Sequence, residues 1–207
     1  MSNSGMHTRE KILHQALQMF NEQGIEYVGL REIAATLGIR VGNITYYFPT
    51  KDDLVYEISR QLSQANAELI VFKEGITLHA FLEMLEGVFR NQVRFRCLLL
   101  SFVHLMKQNE RMAAAYKETQ RSRKHTIGAN LEALAAGGYL KMTAEDRDFL
   151  GANLALIARF WICEATIASP GMPAEAGIKR YLELITRLLL PYTTARGKAD
   201  LKRFLPA

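Results

Sequence analysis

Apolar residues recur along this chain at the three-and-four spacing of helices, and no segment alternates apolar with polar over the length of a strand. Leu13, Ala16, Leu17 and Phe20 follow i, i+3, i+4, i+7 with Ile12 beside them, which predicts a first helix capped by Thr8 and stopped at Gly24. A short second helix, Leu30–Leu37, ends at Gly38, and a third over about Val41–Tyr47 is stopped by Pro49. Lys51–Leu69 reads as a longer fourth helix, with Leu54, Val55, Ile58, Leu62 and Ala65 as its apolar stripe. Beyond a break around 73–77 the predicted helices lengthen to about 78–94, 95–107 and 110–136, ended by Gly137-Gly138. Thr143-x-x-Asp146 has the form of a capping box for a helix that runs to Ala168. After the turn at 169–173 another helix spans 174–190, and Pro191 and Gly197 break a tail with room for one more short helix. The pattern is all-α, in two parts of about 50 and 150 residues.

Composition narrows the class. Of 207 residues 49% are apolar, 23% charged and 9% aromatic, which fits a globular chain and excludes a disordered or collagen-like one. Cys97 and Cys163 lie 66 positions apart with no Cys-x-x-Cys, which argues against a disulfide scaffold and a Cys-only zinc site. The start of the chain is polar, without the form of a secretory signal, and no run approaches 18 apolar residues without a charge. These features predict a cytoplasmic protein with no membrane span. The net charge of +5 invites a nucleic-acid reading, but residues 1–60 carry −1 and residues 61–207 carry +6. Local pattern has to carry the argument.

Residues 30–51 hold most of the information. Helix, glycine-containing turn and short helix is the outline of a helix-turn-helix, whose second helix enters the DNA major groove. Gly38 supplies a turn residue tolerant of positive φ. Ile33, Ala34, Leu37, Ile39, Ile44 and Phe48 suit the contacts between the helices, and Ala34 and Gly42 are small where two helices must approach closely. The stretch 33–51 contains Arg40 and Lys51 and no acidic residue, which favours phosphate. Arg40, Asn43, Thr45, Tyr46 and Tyr47 remain for the exposed side of the third helix. Arginine pairs with guanine and asparagine with adenine, while Tyr and Thr hydroxyls suit phosphates. The competing reading is that the tyrosines pack the small domain and Arg40 is a solvated surface charge.

At this point the sequence resembles the TetR family of bacterial one-component transcriptional regulators. The resemblance covers residues 8–60: Thr8–Leu13, Ala16-Leu17, Phe20, Gly24, Leu30–Ala34, Leu37–Ile39, Gly42–Ile44 and Tyr46–Leu54. It implies a three-helix DNA-binding domain over residues 1–50 and a ligand-binding and dimerisation domain over 51–207, joined by the helix 51–69. Carried over by position, Arg40, Val41, Asn43, Thr45, Tyr46 and Tyr47 face the groove or its phosphates. Lys51 contacts the backbone at a helix start, and Arg31 lies near phosphates or a base edge. Two positions depart from the family pattern. Thr45 stands where a Tyr is usual, and Gly29 stands where a Ser or Thr often caps the second helix, leaving Glu32 as half of a capping box.

For residues 75–191 the expectation comes from the resemblance. The last two long helices are expected to pair with a second copy of the chain through Leu150, Leu154, Ile178, Tyr181, Leu182, Ile185 and Leu189. A small-molecule effector is expected among Phe89, Phe102, His104, Met106, Phe160 and Trp161, all of which also suit an ordinary core. The basic run Arg111, Lys117, Arg121, Arg123, Lys124 reads as a solvated helix face, with an anionic inducer as the alternative. No phosphate loop, nucleophile elbow or zinc-protease motif is present, so neither an enzyme nor a metal or cofactor is expected. The function expected is a homodimeric repressor that binds a palindromic double-stranded operator and is released by a small, largely apolar ligand. The alternatives are an activator of the same family and a helical partner-binding protein that retains a non-reading helix-turn-helix.

Overall fold

The computed structural model describes residues 7–201 and 204. Its helices are α1 (Thr8–Gln23), α2 (Leu30–Leu37), α3 (Val41–Tyr47), α4 (Lys51–Leu69), α5 (Leu78–Arg94), α6 (Arg96–Leu100), α7 (Phe102–Gln108), α8 (Glu110–Ala136), α9 (Ala144–Ala168), α10 (Ala174–Leu189) and α11 (Ala195–Leu201). A 3-10 turn, Leu190–Tyr192, follows α10. Among the described residues there is no strand, only one isolated bridge between Leu140 and Thr193. Three details differ from the sequence expectation. His7 rather than Thr8 precedes the first helical turn, and its backbone N–H donates to Glu10. The helix expected over 95–107 is divided at Ser101 into α6 and α7. Among the described residues no atom lies within 4 Å of where a Cβ would stand on Gly42, so none of the described helices makes the close approach expected there.

The described chain forms two compact units. The first comprises residues up to Gln64 together with Phe95–Tyr116. Its core is the apolar stripe of α1 (Ile12, Leu13, Ala16, Leu17 and Phe20) set against Ile33 and Ala34 of α2, Ile44, Phe48, and Leu54, Val55 and Ile58 of α4. Burying side chains of this size contributes about 1.5–3 kcal/mol each, which gives so small a helical unit its stability. The end of α1 is fastened to α6, because Asn21 Oδ1 accepts the Cys97 N–H at 3.0 Å while Arg96 donates to the Asn21 carbonyl at 2.8 Å. At the start of α8 the Arg111 guanidinium lies 3.9 Å over the Tyr56 ring and 3.5 Å from Asp53.

The second unit comprises Ala65–Arg94 and the chain from Lys117 onward. Here α10 packs on α5 and α9, burying Leu78, Phe81, Leu82 and Phe89 with Leu150, Leu154 and Trp161. The Thr143–Asp146 box that opens α9 is formed: the Thr143 hydroxyl accepts from the Asp146 N–H at 3.1 Å, and Asp146 accepts the Thr143 N–H at 2.8 Å. The helix α11 closes back on α5, where Asp200 accepts the His79 N–H at 3.3 Å.

The residues expected to meet a second copy need correction. Leu150, Leu154, Ile178, Tyr181, Leu182, Ile185 and Leu189 are all 0–5% exposed within one chain, so they have no surface left to lose to a partner. The intramolecular packing of α10 on α5 and α9 consumes them. What remains exposed on α9 is Phe149, Leu156 (54%) and Ile167 (77%), with Leu184 on α10. Phe149, Asn153, Leu156, Phe160, Cys163 and Ile167 follow alternating steps of four and three, one continuous stripe down the helix. Having apolar residues on two faces also makes α9 long and apolar enough to cross a membrane, with a mean hydropathy of 1.3 over an 18-residue window. No run of 18 apolar residues without a charge occurs in it, in line with the sequence expectation, because Arg159 and Glu164 interrupt the helix.

Candidate nucleic-acid interface

The helix-turn-helix is held by its turn. Gly38 adopts φ 67° and ψ 27°, the left-handed conformation that ends α2. It lets the Gly38 N–H reach the Ala35 carbonyl at 3.1 Å and the Ile39 N–H reach Ala34 at 3.0 Å. The other end of α2 is closed by Glu32, which accepts the Gly29 N–H at 2.6 Å. With no side chain at position 29, that is the only half of the box the sequence allows. At the start of α4, Thr50 and Asp53 form a full box, with the Thr50 N–H and hydroxyl donating to Asp53 at 3.1 and 2.7 Å.

Between these caps α3 buries one of its seven residues, Ile44, and is anchored beyond its end by buried Phe48. Val41, Gly42, Asn43, Thr45, Tyr46 and Tyr47 are exposed. Tyr46 is 81% exposed and meets Tyr47 edge-on, ring centroids 5.0 Å apart. The expectation that these tyrosines lie outward therefore holds over the packed alternative. The Thr45 hydroxyl turns back to the Gly42 carbonyl at 3.4 Å. Arg40 and Arg31 are both exposed, and among the described residues neither has a carboxylate partner. Arg9 is different: it lies 3.0 Å from Glu57 and 5.3 Å over the Phe48 ring, so its charge holds α1, α4 and the end of α3 together.

Lys51 is half-buried, and its Nζ reaches the Glu26 carbonyl at 3.4 Å. Burial works against ionisation of the Glu26 carboxyl, but the Ser101 hydroxyl, its own backbone amide, and the charges of His104 and Lys51 together hold it below the usual carboxylate range. Thr8, which the sequence reading used only as a cap, shares a shallow surface hollow with Gly42, Asn43, Tyr46 and Tyr47. Nothing in its local sequence signals this, because the two segments are 34 residues apart and meet only through the packing of α1 on α3.

The six residues expected at an effector site divide between the units, with Phe102, His104 and Met106 in the first and Phe89, Phe160 and Trp161 in the second. Phe102 meets Tyr116 edge-on at 4.8 Å, Met106 is half-buried and His104 is exposed. Phe89 stacks on Trp161 at 4.9 Å, with Tyr181 5.5 Å away on the indole, while Phe160 is half-buried. Sequence reasoning missed Gln92, which is buried beside them. Its Oε1 accepts the Trp161 N–H at 2.6 Å and its Nε2 donates to the Ala158 carbonyl at 2.8 Å. The signal was available, since Gln92 is a polar residue on the same stripe as Phe81, Leu85 and Val88.

Among the described residues, an all-helical fold whose α3 is exposed and acid-free is that of helix-turn-helix transcriptional regulators. The profile described as bacterial transcriptional repressor of the TetR type matches residues 56–201, and that of bacterial regulatory proteins, tetR family, matches residues 12–58. The chain belongs to the TetR family. It is 42% identical over 59 residues to the HTH-type transcriptional regulator AcrR of Shigella flexneri, a match covering 28% of this chain and 27% of that one. The curated relatives are therefore matched over about a quarter of their length. A TetR-family transcriptional regulator from Marinobacter aquaeolei VT8 has the same fold, with TM-score 0.89 and 26% identity over 97% of this chain and all of that one. A transcriptional regulator from Saccharomonospora viridis, solved in complex with choline, has TM-score 0.67 at 20% identity, covering 86% of this chain and 94% of that one.

Proposed function

We propose that this TetR-family regulator is a cytoplasmic homodimeric repressor that reads a palindromic operator with α3 and leaves it when a small, largely apolar ligand binds. The observation that carries the reading is the surface of α3: six of its seven residues face outward, Arg40 precedes them without a carboxylate partner, and no acidic residue lies between 33 and 51. In this reading residues 1–50 are the DNA-binding domain. Arg40 and Asn43 take base edges, Val41 makes apolar contact in the groove, and Thr45, Tyr46, Tyr47 and Arg31 take phosphates. Lys51 reaches the backbone from the start of α4, beside Glu26.

Residues 51–207 supply the second copy's interface and the effector site. The exposed stripe of α9 around Leu156 and Ile167, with Leu184 of α10, is the surface that a second copy covers. Two recognition helices fixed one DNA turn apart bind together, and a ligand that alters their spacing removes simultaneous contact. Within the second unit the effector site is read beside half-buried Phe160, next to the Phe89–Trp161 pair that Gln92 holds in place.

Selection of host genomic fragments by the purified protein at near-physiological salt tests this. Enrichment of a palindromic sequence is the result expected, and its neighbouring genes point to ligands. Weak retention that is indifferent to sequence and lost with modest added salt would contradict it.

A further inference from the structure

The basic run of α8 does not act as one solvated face. Arg111 is engaged by the Tyr56 ring and Asp53, and Arg121 pairs with Glu118 at 2.6 Å. Lys117 and Lys124 are exposed, as a solvated face requires. Arg123 departs from this. It is half-buried, with its Nε buried, on the side of α8 that carries half-buried Gln120 and Ile127 and buried Asn130 at helical spacing.

That side meets α9. Gln120 Oε1 accepts from Arg159 Nη2 at 3.4 Å, and Glu132 pairs with Arg147 further along. The two helices therefore run antiparallel, with residue 120 level with 159 and residue 132 level with 147. Arg123 stands one turn from the Gln120–Arg159 bond, so the two guanidinium groups share one seam. Arg159 is also half-buried, and its guanidinium lies 5.9 Å from the centre of the Phe160 ring. No Asp or Glu occurs between residues 119 and 131 or between 149 and 163. Two like charges one turn apart, each partly withdrawn from water, repel and are costly to desolvate, and the Gln120 amide is a neutral acceptor. An anion placed between them offsets both costs. The planar fork of arginine matches a carboxylate with two parallel hydrogen bonds, and exposed Lys117 and Lys124 on the same helix draw anions toward the seam.

We infer that the effector is an organic anion, with an apolar body against Phe160 and a carboxylate held by Arg123 and Arg159. The inference rests on the reading that the second unit binds an effector beside Phe160, and it adds a charge to that ligand. Matched probes that differ in charge test it on the full-length protein: decanoate against decanol and 2-naphthoate against 2-naphthol, by calorimetric titration at neutral pH. At least one carboxylate should bind about tenfold or more tighter than its alcohol. Arg123→Gln and Arg159→Gln should each remove most of that preference, whereas Arg159→Lys, which keeps the charge without the fork, should retain part of it. Both Gln variants should keep the wild-type sedimentation and melting temperature. Equal binding of acid and alcohol would overturn the inference and leave the effector reading standing, whereas binding of none of the four would contradict both. A carboxylate preference that survives in both Gln variants would overturn it by placing the anion elsewhere. So would a change of oligomeric state or a lowered melting temperature in those variants, since the arginines would then serve a second copy or the fold.

Discussion

At the scale of single residues, exposure and partners separate side chains that the sequence presents as equals. Arg9 and Arg40 are both basic and near the proposed DNA face, yet Arg9 is held by Glu57 and Phe48 while Arg40 is unengaged. Truncating Arg40 to Ala should therefore cost about 1–3 kcal/mol of operator affinity, read by titration, with the thermal unfolding curve unchanged. A variant that loses stability instead would show Arg40 to be structural. Gln92 makes the opposite case. It is buried and supplies the acceptor for the Trp161 N–H, so Gln92→Leu should destabilise the protein by about 1–3 kcal/mol in denaturant titration, the cost of an orphaned buried donor. Cys97 is buried, and desolvation pushes its thiol up to about 12, which leaves almost no thiolate at neutral pH. Half-buried Cys163 should therefore react first with a thiol reagent in the folded protein.

Elements were legible wherever their signals are local. Gly38, Pro49 and the Thr143–Asp146 box mark helix ends through backbone chemistry that needs no tertiary context, and the helices end where these residues stand. The break at Ser101 was not legible, because Arg96–Gln108 reads as one helical run and only packing divides it. Gly38→Ala, forced to φ 67°, should lose about 1–2 kcal/mol of stability and operator affinity with it. Thr143→Ala should lower the unfolding midpoint and flatten its dependence on acid. The reason is that the Thr143 N–H and hydroxyl hold the Asp146 carboxyl below its ordinary 3.8. A carboxylate depressed by folding adds stability above its unfolded value, and that stability is lost as pH falls through the folded one. The wild-type protein should therefore show an acid loss below about pH 4 that the variant lacks in part.

Across the whole molecule, the sequence carried the class further than it carried the surfaces. An acid-free segment, a turn glycine and a run of matched positions were enough to identify the outward-facing residues of α3, because in so short a helix one buried Ile44 fixes where every other side chain points. The residues expected to meet a second copy are instead buried within one chain, because both faces of α9 are apolar and periodicity cannot say which face the same chain covers. Leu156→Glu with Ile167→Glu should give a folded monomer by sedimentation and circular dichroism, whereas Ile185→Ala, in the core, should cost about 2–5 kcal/mol of stability. A double variant that remains dimeric would place the partner elsewhere. The central claim, that α3 reads sequence, is tested most directly by titrating the selected site and a scrambled duplex across a range of salt. A preference of at least about a thousandfold that persists as salt rises and collapses in Arg40→Ala is expected. Equal affinity for both duplexes, falling together with salt, would contradict it.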